Sequence, residues 1–221
     1  EVVASNRVVA FVPIKLNSQR LSGKNLKILG PMPLLQYVLN ALIQAKHIND
    51  VYVFCSDDSI IEFLPNQVKF LKREKILDSD ETLGVDIYES FISHVDSDYY
   101  LLAHATSPFI KPETITNAID KVLNTDYDSA FTAQTVKNFV WFESEPLNYS
   151  LDFIPRTQDI EPVYVECSAF FVFSKKQWVE KKRRIGESPY MVLLEGCEAI
   201  DIDDQEDFLL AEFYLERGLH V

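Results

Sequence analysis

The chain has little cysteine: three residues in 221, Cys55, Cys167 and Cys197. An odd count at wide spacing argues against a disulfide framework and against a zinc site, and it fits a reducing cytoplasm. Bases are also scarce, 21 against 34 acids, for a formal charge of −13. A general nucleic-acid binder has the opposite balance, so no nucleic-acid partner is expected. Any anionic substrate must then be held by a local basic site on an acidic background. No run approaches the ~20 apolar residues of a membrane span, so no membrane association is expected. Residues 1–7 lack the basic start and apolar run of a signal peptide. Internal repeats and low-complexity tracts are missing as well.

What is present is an alternation of short apolar runs and amphipathic stretches. Val8–Ile14 (VVAFVPI) is nearly continuous in apolar residues, the pattern of a strand buried on both faces. Residues 33–45 carry Leu34, Leu35, Val38, Leu39, Leu42 and Ile43 at helical spacing. Strands are expected at 51–55, 68–71, 99–103, 129–134, 169–173 and 199–202. Helices are expected after 58, over 82–95, over 112–123 with Pro112 in the first turn, near 175–183 and over 205–217. The order βαβα predicts an α/β fold with a doubly wound, mostly parallel sheet. Residues 136–166 break the pattern. They hold Phe139, Trp141, Phe142, Tyr149 and Phe153, and read as an ordered arm packing on another subunit or as a long surface loop.

Four segments can carry chemistry. The loop from Lys15 to Asn25 follows the first strand, where open α/β sheets bind ligands. Its Gly, hydroxyls, amides and three cations suit a polyphosphate, although the P-loop spacing is missing and a solvated basic loop is the plainer alternative. In the tail IDIDDQED, Asp201 and Asp203 alternate and so point to one side, which suits Mg²⁺ with phosphate. Asp203 or Asp204 can equally cap the next helix. His104-Ala-Thr-Ser-Pro108 is a strand-end loop rich in hydrogen-bonding groups, or simply a turn before a helix. Arg156-Thr-Gln-Asp159, followed by Tyr164 and Glu166, offers a bidentate arginine for a carboxylate, or a surface ion pair.

Taken together, the segments resemble the acylneuraminate cytidylyltransferase family, the CMP-sialic acid synthetases. The matching stretches, in order, are VPIKLNSQRLSGKN over 12–25, CSDD over 55–58 and REKILDSD over 73–80. HATSP over 104–108, RTQD over 156–159 with ECSAFF over 166–171, and AIDIDDQED over 199–207 follow. The resemblance implies a Rossmann-like nucleotidyltransferase fold, one cytidylyltransferase domain over 1–221, and a homodimer with 136–166 as its arm. It implies CTP around Lys15, Asn17, Ser18, Gln19, Lys24, Asn25, Ser56, Arg73, Ser79 and Asp80. His104, Thr106, Ser107, Arg156, Gln158, Tyr164 and Glu166 would lie toward the sugar acid, and Asp201 and Asp203 would bind Mg²⁺.

The reaction so implied is in-line attack of the sugar's anomeric hydroxyl on the α-phosphorus of CTP, with pyrophosphate leaving. Lys24, Lys15 and Asp203 are the residues expected to bear on that step, through positioning and charge neutralisation. His104 is a candidate acid or base, or a hydrogen-bond donor to the sugar. Six positions, in four places, depart from the family pattern. Lys15 stands for an arginine, Leu16-Asn17 for two glycines, His104 for a glutamine, and Cys167-Ser168 for Asn-Gly. They leave open a related nonulosonic or 2-keto-3-deoxy sugar acid, an alcohol phosphate, or a relative that binds nucleotide without turnover.

Overall fold

The computed structural model describes residues 5–16, 21 and 23–221. Seven strands form one sheet: β1 (Val8–Ile14), β2 (Asp50–Cys55), β3 (Val68–Lys72), β4 (Tyr99–Ala103), β5 (Ser129–Val136), β6 (Val163–Ser174) and β7 (Pro189–Leu193). Their spatial order is β7-β5-β6-β4-β1-β2-β3. β6 runs antiparallel to both neighbours, and the other pairings are parallel. The helices are α1 (Leu34–Gln44), α2 (Gly84–His94), α3 (Pro112–Asn124), α4 (Lys175–Lys181) and α5 (Gln205–Glu216).

The all-apolar β1 makes sense in this sheet, because both of its faces are covered. Val8, Ala10 and Val12 join a core with Leu35, Leu39, Ile115 and Ile119, on the side of α1 and α3. Val9 and Phe11 turn the other way, into an aromatic core with Phe91, Tyr100, Phe173 and Trp178. Period-two alternation therefore sends aliphatic side chains to one layer and aromatic ones to the other. Phe11 stacks on Phe91 with ring centroids 4.2 Å apart, so α2 is fixed over the centre of the sheet. A third cluster of Leu29, Leu34, Phe109, Ile200, Ile202 and Phe208 seats α5 across one end.

Several expectations need correction. Residues 199–202 are not a strand: a 3-10 turn over Gly196–Ala199 leads into extended chain. This segment is held by the Ile202 N–H on the Thr106 carbonyl and by the Gln134 side-chain amide on the Ala199 carbonyl, both at 2.8 Å, rather than by a ladder. β6 is 12 residues long where 169–173 is expected, because its first half is exposed and carries no buried apolar signature. β7 is not foreseen at all. The arm is shorter than 136–166, since Val136 and Val163 to Glu166 pair within the main sheet. What remains, 137–162, contains a two-residue hairpin pairing of Trp141–Phe142 with Glu145–Pro146.

β6 also leaves β5 for a short distance. Cys167 opposes Thr132, and the next partner, Phe171, opposes Phe131, so residues 168–170 bulge between them. On its other side β6 keeps regular pairing with β4 from Phe170 onward. The carbonyls freed by the bulge face the end of β4.

Candidate active site

The C-terminal ends of β1, β2 and β4 open on one cleft. At the end of β1 the Lys15 ammonium pairs with Asp80 at 2.7 Å, while its carbonyl accepts from the Asn25 amide at 3.1 Å. Gly23, at φ +62, makes the left-handed turn into the Lys24–Leu26 helical turn that an L side chain rarely adopts. Lys24 is thereby turned inward, with its side chain 13% exposed and its Nζ 3.9 Å from Asp203 Oδ1. Asn17, Ser18 and Gln19 lie outside the described residues.

At the end of β2, Ser56 donates to Asp78, and Arg73 Nη2 donates to the other Asp78 oxygen at 2.6 Å. The Arg73 side chain is only 2% exposed. Its Nε–H is buried without a protein partner among the described residues, and its guanidinium lies 5.8 Å from the Phe54 ring centroid. A buried cation with an unspent donor is a costly feature for a fold to keep, and it provides a ready contact for a polar ligand. A cavity of about 860 Å³ is lined by Lys15, Ser56, Lys72, Lys75, Ser79 and Asp80. A smaller one of about 320 Å³ shares Lys15, Ser79 and Asp80 and adds Arg73, Tyr88 and His104. The cleft thus runs from the basic loop to His104.

His104 follows β4 and is gripped twice by the bulge of β6. Its N–H donates to the Ala169 carbonyl at 3.1 Å, and its Nδ1 lies 2.6 Å from the Ser168 carbonyl. A carbonyl only accepts, so Nδ1 carries the proton. Burial pushes the ring's pKa down to about 4, with the Arg184 charge adding to the effect against the Ser168 hydrogen bond. The neutral ring therefore presents Nε2 as an acceptor. This reverses the expected donor role, and a pKa of about 4 makes His104 a poor general base at neutral pH.

Thr106 does not stand free beside the sugar side of the cleft. It hydrogen-bonds Asp201, and Ser107 is buried in the turn. Asp201 has its pKa raised chiefly by loss of water on its inner edge, with the Asp203 charge adding; Thr106 and Lys24 pull it back. The capping question resolves between neighbours. Asp204 accepts from the Asp207 N–H at 3.0 Å, and the Asp207 carboxylate accepts from the Asp204 N–H at 3.2 Å, a reciprocal capping box. The Asp203 carboxylate takes no part in the cap and is left facing Lys24. Among the described residues no group of three His, Cys, Asp or Glu forms a metal cage. Two carboxylates on one side of an extended segment nonetheless suit a cation that takes its other ligands from phosphate and water.

The remaining predicted positions divide. Glu166 reaches Arg184 at 3.4 Å and lines a further cavity of about 600 Å³, which shares Gly84 and Tyr88 with the cleft. Tyr164 is exposed on the outer half of β6, opposite Thr135. Arg156 is 72% exposed and pairs with Asp159 at 2.5 Å on the arm. The Gln158 carbonyl accepts from Lys137 there, at 3.4 Å. Arg156 and Gln158 line none of these cavities. Asp78 and Arg184 are the residues that sequence reasoning does not single out. Asp78 lies inside a segment already flagged, whereas Arg184 ends a run of four cations, 181–184, that reads as a solvated face.

A family model described as cytidylyltransferase matches residues 9–177, from β1 into α4. The chain is 27% identical over 218 residues to N-acylneuraminate cytidylyltransferase A of Danio rerio, covering 94% of this chain and 50% of that protein. It is 27% identical over 224 residues to the CMP-N,N'-diacetyllegionaminic acid synthase of Legionella pneumophila, covering 95% and 97% respectively. It thus spans about half the length of the first relative and nearly all of the second. A solved CMP:2-keto-3-deoxy-manno-octonic acid synthetase in complex with CTP shares the fold, with a TM-score of 0.70, 14% identity, and coverage of 96% of this chain and 100% of that one. With the cleft at the strand ends and a family match over most of its length, this chain belongs to the cytidylyltransferase family.

Proposed function

We propose that this chain transfers CMP from CTP to the anomeric hydroxyl of an acidic nine-carbon sugar of the sialic or legionaminic type, releasing pyrophosphate. The observation that carries the reading is the Lys24–Asp203 pairing in the connection that follows β1, beside Asp201 and clear of the helix cap. A cation and two carboxylates next to the basic loop at the end of β1 suit a triphosphate with its metal. Lys15 and Lys24 neutralise phosphate charge, and Ser56, Arg73, Ser79 and Asp80 face the nucleoside. Mg²⁺ held by Asp201 and Asp203 would draw charge from the phosphate oxygens. The acceptor lies on the His104 and Glu166 side. His104 Nε2 accepts from one of its hydroxyl or amide groups.

The names of the relatives support an acidic acceptor. A 2-keto-3-deoxy sugar acid is the second reading, favoured by one observation: His104, where the family resemblance has a glutamine, offers an acceptor and no donor. A homodimer in the cytoplasm completes the proposal, with Arg156, Gln158 and Tyr164 on the arm side facing the partner. Pyrophosphate release with CTP, Mg²⁺ and a panel of sugar acids tests the function. Release with no member of the panel rejects it.

A further inference from the structure

Beyond His104 the cleft continues into the 600 Å³ cavity, whose wall includes Arg184. The guanidinium of Arg184 lies over Phe171, 4.0 Å from the ring centroid. The same ring takes His104 edge-on, with centroids 6.5 Å apart. Phe171 is wholly buried in β6, so this platform is as fixed as the sheet itself. Arg184 Nη1 donates to the Tyr88 hydroxyl at 3.1 Å, and Nη2 reaches Glu166 at 3.4 Å. The other N–H groups of the fork have no protein partner among the described residues. Its side chain is 33% exposed, enough to meet a ligand from the cavity.

We infer that Arg184 binds the carboxylate of the acceptor, an assignment that rests on the proposed transfer to a sugar acid. The planar fork matches a carboxylate with two parallel hydrogen bonds, and stacking on Phe171 fixes its plane before the acceptor arrives. An arginine needed only to pair with Glu166 gains little from that contact, which is long, partly exposed and of the kind worth least. The cavity also adjoins the His104 end of the cleft, with which it shares Gly84 and Tyr88. An acceptor held by its acid at Arg184 and by a hydroxyl at His104 therefore spans the wall of Gly84 and Tyr88 that the two cavities share. In a protein of net charge −13, a fixed cation at this spot also steers an anionic acceptor past the acidic background.

The test uses wild-type protein, Arg184→Met and Arg184→Lys, each with CTP and Mg²⁺. The acceptors are N-acetylneuraminate, N,N'-diacetyllegionaminate and 2-keto-3-deoxy-octonate, each as free acid and as the primary amide of that acid. Pyrophosphate release gives kcat and KM, and thermal melts report folding. We expect Arg184→Met to lower kcat/KM for the acid by roughly 10- to 100-fold, the worth of a charge-assisted hydrogen bond. The amide should change by less than about threefold and the KM for CTP by less than about twofold, with Arg184→Lys intermediate on the acid. Equal losses on acid and amide would make Arg184 a structural residue. A raised KM for CTP would assign it to the nucleotide. Either result, or an unchanged acid preference in Arg184→Met, overturns the inference alone. Absence of turnover by wild-type protein on every acid would instead defeat the underlying function, and this inference with it.

Discussion

The Lys24 ammonium lies 3.9 Å from the Asp203 carboxylate, while the next residue, Asp204, caps α5. The helix cap and the carboxylate facing Lys24 are thus adjacent side chains, and substitution separates the cap from the role proposed for Asp203. Asp203→Asn is expected to melt near the wild-type temperature, lose most turnover and require more Mg²⁺ for what remains. Asp204→Ala should cost about 1 kcal/mol, or roughly 2–4 °C in Tm, and keep its Mg²⁺ response. Thermal melts beside Mg²⁺ titrations of pyrophosphate release decide. Early melting of Asp203→Asn with full turnover would reverse the two roles.

The Arg73–Asp78 pair makes a second expectation. Asp78→Ala strands a guanidinium that is 2% exposed, and should cost roughly 3 kcal/mol in urea unfolding, the low end for a broken buried pair. The unspent Arg73 Nε–H and the neighbouring Ser79 and Asp80 form a polar wall suited to one base edge. Turnover with CTP should exceed that with UTP by at least roughly a hundredfold in kcat/KM, because a mismatched edge leaves buried groups unpaired. Comparable rates with UTP or ATP would remove Arg73 and its neighbours from base selection.

His104 gives a pH expectation with a definite sign. Its folded pKa of about 4 lies below the ordinary 6.5, so the unfolded chain takes up the proton first. Stability is unaffected by this group above pH 6.5 and falls as the pH drops from there toward 4, by at most about 3 kcal/mol. His104→Gln removes that loss, since the amide does not titrate. Urea unfolding of both proteins at pH 7 and pH 4.5 should show a smaller difference between pH values for the variant. Equal differences would show that the ring charges as easily in the fold as outside it.

The arm should make the protein a dimer. Trp141, Phe142, Phe153 and Ile154 are all half or more exposed in the single chain, a patch that an isolated protein would leave against water. Light scattering at micromolar concentration is expected to give twice the chain mass, and Phe142→Ser with Phe153→Ser should shift it toward one. A wild-type monomer with full activity would refute this.

The legible part of the fold was what period and run length report. β1, β4 and β2 after its first residue, Asp50, stand out because burial on both faces leaves a run of apolar and aromatic residues. Helix α3 stands out by its one-sided stripe of Ile115, Ala118, Ile119 and Val122, all buried. The exposed half of β6 is different: it gains its strand geometry from pairing with β5, a tertiary fact that no local pattern records. The same holds for β7, an edge strand with only Val192 buried. Near the proposed metal position, what the sequence made legible is the proximity of Lys24, Asp201 and Asp203, because a loop and a short extended segment set their directions. Arg184 was not, since its meaning depends on Phe171, thirteen positions earlier, lying beneath it. The Thr106–Asp201 hydrogen bond was not legible either, because a hydroxyl in a strand-end loop has no local signal for its partner.

The bulge of β6 has a consequence for which residues position 104 can accept. Two carbonyls one residue apart, those of Ser168 and Ala169, both converge on this position. The backbone N–H satisfies one whatever the side chain, but the other needs a side-chain donor at the reach of an imidazole. Leucine or glutamate at 104 would leave the Ser168 carbonyl unanswered, while glutamine or asparagine could answer it by turning the amide. The vocabulary at this position is thus restricted before any acceptor is considered. The strand chooses among donors first, and the substrate selects only among what the strand allows.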